Sequence, residues 1–166
     1  MRLLAGAVLC VALAALVGCG NGSDQASTQS AAPRPAAAPA SSARTSTIVT
    51  RASRYGRILT DGRGRTLYVF TRETTGHSRC YGACAKAWPP LLARPKPRAA
   101  GGARARLIGT TLRRGGSVQA TYAGRPLYHY VRDRTAGQIL CQNVVEFGGT
   151  WLVADARGRS VRGGPR

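Results

Sequence analysis

Acidic residues are scarce in this sequence: six Asp and Glu stand against 25 Lys and Arg, which gives a formal net charge of +19. Three of the carboxylates, Asp61, Asp133 and Asp155, lie in turn or loop contexts. Asp61 and Asp155 also occupy equivalent positions in segments of similar sequence. Because Asp is a common turn former, this placement favours turn building over acid–base catalysis.

Several signatures of enzymes and cofactor-binding proteins are also missing. The sequence has no CxxC pair, no Cys-His haem-attachment pair, no Gly-rich phosphate loop after a strand and no GxSxG turn. Cys80 and Cys84 are separated by three residues, so thiol oxidoreductase activity has little support. We therefore expect no enzymatic activity and no cofactor.

One segment is strongly apolar, residues 3–17, and it follows the basic residue Arg2. It is too short to span a bilayer comfortably, and with small residues after it the pattern is typical of a secretory signal. The four residues Leu-Val-Gly-Cys at 16–19 resemble the lipobox of bacterial lipoproteins, in which the cysteine sulfur takes a diacylglyceryl group and the chain is cut just before it. The resemblance implies a signal peptide at residues 1–18 and a lipid on Cys19 that anchors the mature protein to a membrane outside the cytoplasm. The alternative is an ordinary secretory signal with an incidental cysteine.

Residues 19–47 follow the signal and consist mostly of Ser, Ala, Pro, Gln and Gly. Such a stretch cannot bury enough apolar surface to offset its ordering entropy, so we expect a disordered tether. As a flexible coil it has a root-mean-square reach of about 30 Å. Residues 48–166 remain, which is enough for one small domain.

The basic residues are almost all arginines and are scattered through turns and strand edges. A sequence pI near 11.5 normally raises nucleic acid as a partner, but a lipid-anchored extracytoplasmic protein rarely meets any. We therefore expect no nucleic-acid partner. Anionic lipids or wall polymers are better candidates, and a purely compositional origin of the charge is the alternative.

The domain contains an internal repeat. A shift of 60 residues superimposes residues 64–70 (GRTLYVF) on residues 124–130 (GRPLYHY), and such agreement is typical of repeated structural units. We place repeat one at about 55–92 and repeat two at about 117–154.

Each repeat is predicted to be β-structure, because short runs rich in Val, Ile, Tyr and Thr are broken by Gly-containing turns. The predicted fold class is all-β: two tandem repeats of short antiparallel strands and hairpins that form one small domain. The predicted strands are 55–60, 65–71, 106–112, 117–122, 126–132 and 150–154, with a weak last strand at 160–162. The one predicted helix covers residues 83–88, and residues 93–103 are predicted to be a Pro- and Gly-containing loop.

Aromatic residues recur at the same positions of both repeats. Four of them share one predicted strand face and are interpreted as core together with the two tryptophans, Trp88 and Trp151. The four are Tyr68, Phe70, Tyr128 and Tyr130. A ligand-stacking platform is the alternative function for them. His129 lies in the middle of a predicted strand and is interpreted as a packing residue.

These residues carry a family resemblance. The segments at 61–70 (DGRGRTLYVF) and 80–92 (CYGACAKAWPPLL), with a second copy at 119–128 and 146–151, resemble the bacterial lipoproteins described as "secreted repeat of unknown function". The resemblance covers essentially the whole domain. It implies an exported tandem-repeat lipoprotein to whose family no catalytic activity is assigned.

The cysteines of the domain are Cys80, Cys84 and Cys141, and an oxidising compartment favours a disulfide. We expect Cys80 to pair with Cys84, because they are four residues apart and the family segment has both, which leaves Cys141 free. The rival pairing joins Cys80 to Cys141, which occupy equivalent places in the two repeats. A further alternative is a zinc or copper site formed by the three cysteines with His77.

The sequence thus predicts a lipid-anchored extracytoplasmic lipoprotein with a binding or structural role in the cell envelope. The competing hypothesis is a metal-binding or redox-active envelope lipoprotein that uses the Cys and His ligands.

Overall fold

The computed structural model describes residues 46–74, 76–93 and 95–164, and the signal sequence, Cys19 and almost all of the predicted tether lie outside these ranges. Nine short strands, one helical turn and one 3-10 turn make up the described part. The all-β prediction is confirmed: the strands form three small three-stranded sheets. In the described residues no helix is both long and apolar enough to cross a membrane.

The first sheet is built on a long hairpin. Strand β1 (Thr47–Ser53) pairs antiparallel with β2 (Gly56–Asp61), from Ile48 opposite Asp61 to Ser53 opposite Gly56. The short strand β4 (Arg98–Ala99) adds to the start of β1 in parallel. Ile48 is fully buried whereas Arg51 is exposed, so β1 has one face on the core and one in solvent.

The other two sheets are antiparallel. In one, β9 (Gly149–Val153) lies between β3 (Tyr68–Phe70) and β8 (Val144–Glu146). In the other, β6 (Val118–Tyr122) lies between β5 (Ile108–Leu112) and β7 (Arg125–Pro126). Since β3 comes from repeat one and β9 from repeat two, the second sheet is shared by the two repeats.

Isolated bridges join the sheets into one body. Ile58 pairs with Asp155, which connects the first hairpin to the chain after β9. Tyr68 pairs with Tyr128, and the two backbones exchange hydrogen bonds of 2.8 and 3.0 Å. The equivalent tyrosines of the two repeats are therefore hydrogen-bonded to each other.

The buried side chains form two clusters. One is mainly aliphatic and includes Ile48, Leu59, Leu127 and Leu152. The other is mainly aromatic and contains both tryptophans and the Cys80–Cys84 pair. Fully burying a large apolar side chain is worth about 1.5–3 kcal/mol, so these clusters supply much of the stabilising free energy of so small a domain.

The predicted helix is confirmed as α1 (Ala83–Ala87), which ends at Trp88 before Pro89-Pro90. A proline cannot donate the next helical hydrogen bond, and the residue before it is pushed out of the helical region. Strands β2, β3, β6 and β9 lie within or one residue outside predicted strands. These elements show clear apolar runs bounded by turn residues.

Other strand predictions were wrong. β1 was missed, and it begins at Thr47, a residue assigned to the tether; β8 was missed as well. The predicted loop at 93–103 contains β4, and the predicted strand at 106–112 opens with a 3-10 turn, Ala105–Leu107. The predicted strand at 126–132 is regular only at Arg125–Pro126, and the weak last strand is reduced to a bridge between Ala154 and Ser160. β1 and β8 each pair with the next strand along the chain, whereas β4 and the Ala154–Ser160 bridge consist of one or two residue pairs, too few for a sequence pattern to indicate.

The turn-building interpretation of Asp61 and Asp155 agrees with the structure. Asp61 Oδ1 accepts from the N–H groups of Arg63 and Arg65, at 2.9 Å each. Asp155 Oδ1 accepts from Arg157 and Arg159 at 2.8 and 2.9 Å. In each turn the second arginine also donates its Nε to Oδ2 at 3.0 Å. The two turns therefore have the same side-chain-to-backbone hydrogen bonds.

Candidate functional site

The aromatic residues form a stacked cluster in the core. Trp88 and Trp151 stack with ring centroids 4.0 Å apart and planes within 2°. Phe70 stacks on Trp151 at 4.2 Å, and Tyr130 lies tilted against Trp88 at 4.7 Å. Parallel stacking of this kind adds about 0.5–1.5 kcal/mol per pair beyond the burial of area.

The core interpretation of the predicted aromatic face is confirmed for three of its four members. Tyr68 and Tyr128 are fully buried and Phe70 is 2 % exposed, so none of them can offer a ring to a ligand. Tyr130 is partly exposed, but its ring packs on Trp88. The alternative of a ligand-stacking platform is therefore wrong for Tyr68, Phe70 and Tyr128.

Each of the two buried tyrosines donates its hydroxyl to an acid of the other repeat. Tyr68 Oη donates to Asp133 Oδ2 at 2.5 Å, and Tyr128 Oη donates to Glu73 Oε1 at 2.7 Å. Burial raises the pKa of both tyrosines. It also raises the pKa of Asp133 against the hydrogen bonds from Tyr68 and from the Leu140 N–H. Sequence analysis missed both pairs, although the shift of 60 residues that aligns the tyrosines also aligns Glu73 with Asp133.

The Glu73 carboxyl group also binds backbone groups of the loop that follows β3. Its Oε1 also accepts from the N–H groups of Arg79 at 2.6 Å and Cys80 at 3.2 Å. Burial raises the pKa of Glu73, and these hydrogen bonds together with that from Tyr128 oppose the rise. Its Oε2 is buried and has no partner among the described residues. Glu73 is thus a buried hydrogen-bond acceptor and not an acid accessible from solvent. Its burial costs free energy, because the carboxyl group loses its water.

A buried arginine is the second node of this network. Arg113 Nη1 donates to Ser78 Oγ and to Gln119 Oε1, and Nη2 donates to Cys80 O, each at 2.6 Å. Three of the five guanidinium N–H donors therefore bond to protein groups. It ties the loop around Cys80 to β6.

The cysteines confirm the predicted pairing. Cys80 and Cys84 form a disulfide with their Cα atoms 5.2 Å apart, and Cys141 is a buried free thiol. Burial raises the pKa of Cys141, and the hydrogen bond with Tyr130 opposes the rise. The rival pairing of Cys80 with Cys141 is wrong.

The structure also contradicts the metal site proposed for His77, Cys80, Cys84 and Cys141. Cys80 and Cys84 share their sulfurs in the disulfide and offer no thiolate, and His77 is exposed. In the described ranges no three His, Cys, Asp or Glu side chains are grouped so that they could hold a metal ion. The competing hypothesis of a metal-binding or redox-active lipoprotein therefore loses the Cys and His ligands on which it depended.

His129 is buried, as its interpretation as a packing residue requires, but its ring nitrogens also have polar neighbours. Nε2 lies 3.7 Å from Asp61 Oδ2 and 3.3 Å from Arg65 Nη2, and Nδ1 lies 3.3 Å from Thr66 O. Burial and the charge of Arg65 lower the pKa of His129, and Asp61 opposes this. The ring therefore lies against both charged side chains of the Asp61 turn, Asp61 and Arg65.

A surface cleft of about 560 Å³ is lined largely by arginines, and we call it the arginine cleft. It lies beside the turn between β1 and β2 and beside the Asp155 turn. Five arginines line it: Arg57, Arg104, Arg157, Arg159 and Arg162. Its other lining residues include Tyr55, Ser160 and a single acid, Asp155.

The carboxylate of Asp155 already accepts hydrogen bonds within its own turn. Asp155 accepts from two backbone N–H groups and from the Arg159 guanidinium, which lies 3.0 Å from Oδ2. Burial alone would raise the pKa of Asp155, but the hydrogen bonds from Arg159 and Arg157 hold it below its ordinary value. One carboxylate therefore offsets one of five guanidinium charges, and the lining remains strongly positive.

Sequence analysis did not find this cleft. Its arginines were read as scattered, because they come from β2, from the residue before the 3-10 turn and from the chain after β9. The bridge between Ile58 and Asp155 brings β2 beside the Asp155 turn. A one-dimensional charge pattern contains no signal for such a bridge.

Comparison with protein families gives one match. The family described as "secreted repeat of unknown function" matches residues 48–92 and 109–155, more than half of the chain. The chain belongs to this family. The matched repeats begin earlier than predicted and include most of β1 and most of β5. Comparisons with curated proteins and with solved structures gave no match.

Membership of the secreted-repeat family confirms the predicted resemblance. The family description supports an extracytoplasmic location and is consistent with an envelope protein, and it states no molecular role. The disulfide fits this location, because disulfides persist in oxidising compartments.

Proposed function

We propose that this secreted-repeat protein is a lipid-anchored extracytoplasmic binding protein for an anionic component of the cell envelope. Its partners are the membrane, through the lipid on Cys19, and an anionic lipid or wall polymer. It performs no catalysis in this proposal.

The observation that carries the proposal is the arginine cleft. Five guanidiniums and one acid face the same surface depression, and that acid is bonded within its own turn. Like charges repel, so a folded domain gains nothing in stability by gathering them. A bound anion offsets this repulsion, because guanidinium forms strong charge-assisted hydrogen bonds with carboxylate and phosphate.

The anchoring part of the proposal rests on the lipobox-like residues 16–19. Two acyl chains suffice for stable membrane attachment where one does not. The Cys19→Ser variant is expected to leave the membrane fraction or to remain an uncleaved precursor. A variant that fractionates and migrates like the parent contradicts the lipid anchor.

The binding part is tested with isolated envelope polymer and the full-length protein in detergent. Binding is expected to weaken steeply with salt, because the Debye length falls from about 10 Å at 0.1 M to about 3 Å at 1 M. Binding that does not respond to salt, or no binding at low salt, contradicts an electrostatic role. In that case the arginine content reflects composition alone.

A further inference from the structure

We propose that the arginine cleft recognises the phosphate groups of an envelope polymer whose backbone repeats phosphodiesters. This inference rests on the proposed function and names the chemistry of its ligand. Four observations support it: the separate segments that contribute the guanidiniums, the anchoring of Arg57, a hydroxyl donor at the cleft wall, and the size of the site.

The guanidiniums come from three separate segments. Arg57 belongs to β2, Arg104 precedes the 3-10 turn, and the other three arginines follow β9. Donors on several sides suit a tetrahedral phosphate, whose oxygens point in different directions. A planar carboxylate is satisfied by a single guanidinium fork.

Arg57 is anchored by hydrogen bonds to residues that do not line the cleft. Its Nη2 donates to Thr50 Oγ1 at 3.0 Å, and it lies within 3.4 Å of Thr50 O and 3.3 Å of Gly101 O. A guanidinium has five N–H donors, so anchoring through one nitrogen leaves others for a ligand. Anchoring also lowers the entropy lost when an anion binds.

Ser160 adds a neutral donor to the cleft wall. Its Oγ accepts a hydrogen bond from Nη1 of Arg125, a partly buried arginine behind the cleft. A hydroxyl that accepts keeps its own proton to donate. Ser160 can therefore donate to a phosphate oxygen, and Arg125 is a positioning residue that orients it.

The size of the cleft favours a chain over a single ion. Its volume is about 560 Å³ and five arginines line it, which is more room and more positive charge than one phosphate group needs. Tyr55 is partly exposed, so its ring can pack against the carbon atoms between two phosphates.

The cleft also lies at the Ser53–Gly56 end of the β1–β2 hairpin, opposite to Thr47, where the tether joins. A strand of seven residues separates the two ends by about 20 Å.

The test compares three probes on the full-length protein in detergent: a synthetic glycerol-phosphate oligomer, a polyglutamate of equal charge and similar length, and inorganic phosphate. Binding is measured by calorimetry across a salt series. We expect the phosphate oligomer to bind at least about tenfold more tightly than polyglutamate, a difference of about 1.4 kcal/mol. Inorganic phosphate is expected to compete only weakly, because it occupies one subsite of several.

Two charge-matched variants locate the site. The cleft variant is Arg104→Gln, Arg157→Gln and Arg162→Gln together; the control is Arg79→Gln, Arg98→Gln and Arg134→Gln together, three exposed arginines outside the cleft. The cleft variant is expected to lose at least about tenfold in affinity for the oligomer. Its slope of log affinity against log salt is expected to fall by about two, since each lost contact with a flexible phosphate chain removes about 0.7. The control is expected to change the slope little.

The outcomes separate this inference from the proposed function. Equal affinity for the two polymers overturns phosphate recognition and leaves anionic binding intact. Equal losses in the cleft and control variants overturn the site, because the general surface charge then explains the binding. Tight binding of inorganic phosphate that blocks the oligomer completely overturns the polymer ligand. No binding of either polymer at low salt overturns both proposals.

Discussion

Tyr68 donates its hydroxyl to Asp133, which lies 65 positions further along the chain, and the two oxygens are 2.5 Å apart. Tyr128 makes the reciprocal contact to Glu73 at 2.7 Å. In each repeat the acid follows the tyrosine by five positions, but each tyrosine bonds to the acid of the other repeat. The two repeats are therefore joined by a pair of crossed hydrogen bonds around the Tyr68–Tyr128 bridge.

The crossed hydrogen bonds are expected to contribute measurably to stability. Tyr68→Phe and Tyr128→Phe should each lower the free energy of unfolding by about 1.5–3 kcal/mol, the range for hydrogen bonds to charged groups. Tyr128→Phe should cost at least as much as Tyr68→Phe, because it also removes the hydrogen bond of 2.7 Å between the Tyr128 hydroxyl and Ser78 Oγ. Urea denaturation measures both.

Tyr81→Phe is the matched control for these two variants. Tyr81 is partly exposed and its hydroxyl accepts one long bond, from the Arg114 N–H at 3.3 Å. Its loss should change the free energy of unfolding by less than about 0.5 kcal/mol. A similar small change in Tyr68→Phe would show that the crossed bonds are energetically neutral.

The stability of the domain should depend on pH through Glu73. Burial raises the pKa of this carboxyl, so the folded state keeps the proton to a higher pH than the unfolded chain. Stability is therefore lost as pH rises from about 4, the ordinary value for Glu, through the folded pKa. The Gln side chain of the Glu73→Gln variant does not titrate, so the variant lacks this dependence on pH. The free energy of unfolding of the parent minus that of the variant should fall over this window, and a flat or rising difference would contradict the assignment.

The two equivalent aspartate turns should differ in their sensitivity to mutation. Asp61 and Asp155 make the same three hydrogen bonds, but the Asp61 side chain is 9 % exposed and that of Asp155 is 23 % exposed. Removing an acceptor costs more where water cannot replace it. Asp61→Ala is expected to lower the free energy of unfolding by about 3 kcal/mol and Asp155→Ala by about 1 kcal/mol. Equal costs would show that the turn bonds alone determine the effect.

The disulfide and the free thiol give a chemical prediction. Mapping of non-reduced peptides should find Cys80 joined to Cys84, and Cys141 should react with a thiol reagent only after unfolding, because it is buried and burial raises its pKa. Changing both Cys80 and Cys84 to Ser should cost about 2 kcal/mol, since the closed loop is short. Fast labelling of Cys141 in the native protein would contradict its burial.

Local features of the sequence predicted much of the fold. Strand β2 follows from the apolar run that ends at Thr60, and the helix that begins at Ala83 follows from the prolines that stop it. The equivalence of Tyr68 and Tyr128 follows from the internal repeat. Three of the four predicted core aromatics, Tyr68, Phe70 and Tyr128, and the Cys80–Cys84 pairing were also correct. These properties are set by nearest neighbours or by direct comparison of the repeats.

What could not be predicted either lacks a clear local signal or depends on long-range contacts. The strand β8 pairs across a turn in which Phe147 has φ of 53°, a conformation that Gly or Asn usually provides, so Gly148 is the one turn residue that signals a hairpin. The strand β4 consists of two residues and exists through its pairing with β1. The arginine cleft likewise forms where three distant segments meet.

The crossed tyrosine–acid bonds make each repeat incomplete by itself. A chain that held one repeat alone would have a tyrosine hydroxyl and a carboxylate five positions apart, each facing away towards a missing partner. Two copies of such a chain could complete one another around a two-fold axis, with each copy supplying the acid for the other. In the present protein one polypeptide supplies both halves of this exchange, although the halves differ in their cysteines: the first repeat holds the disulfide and the second holds the free thiol.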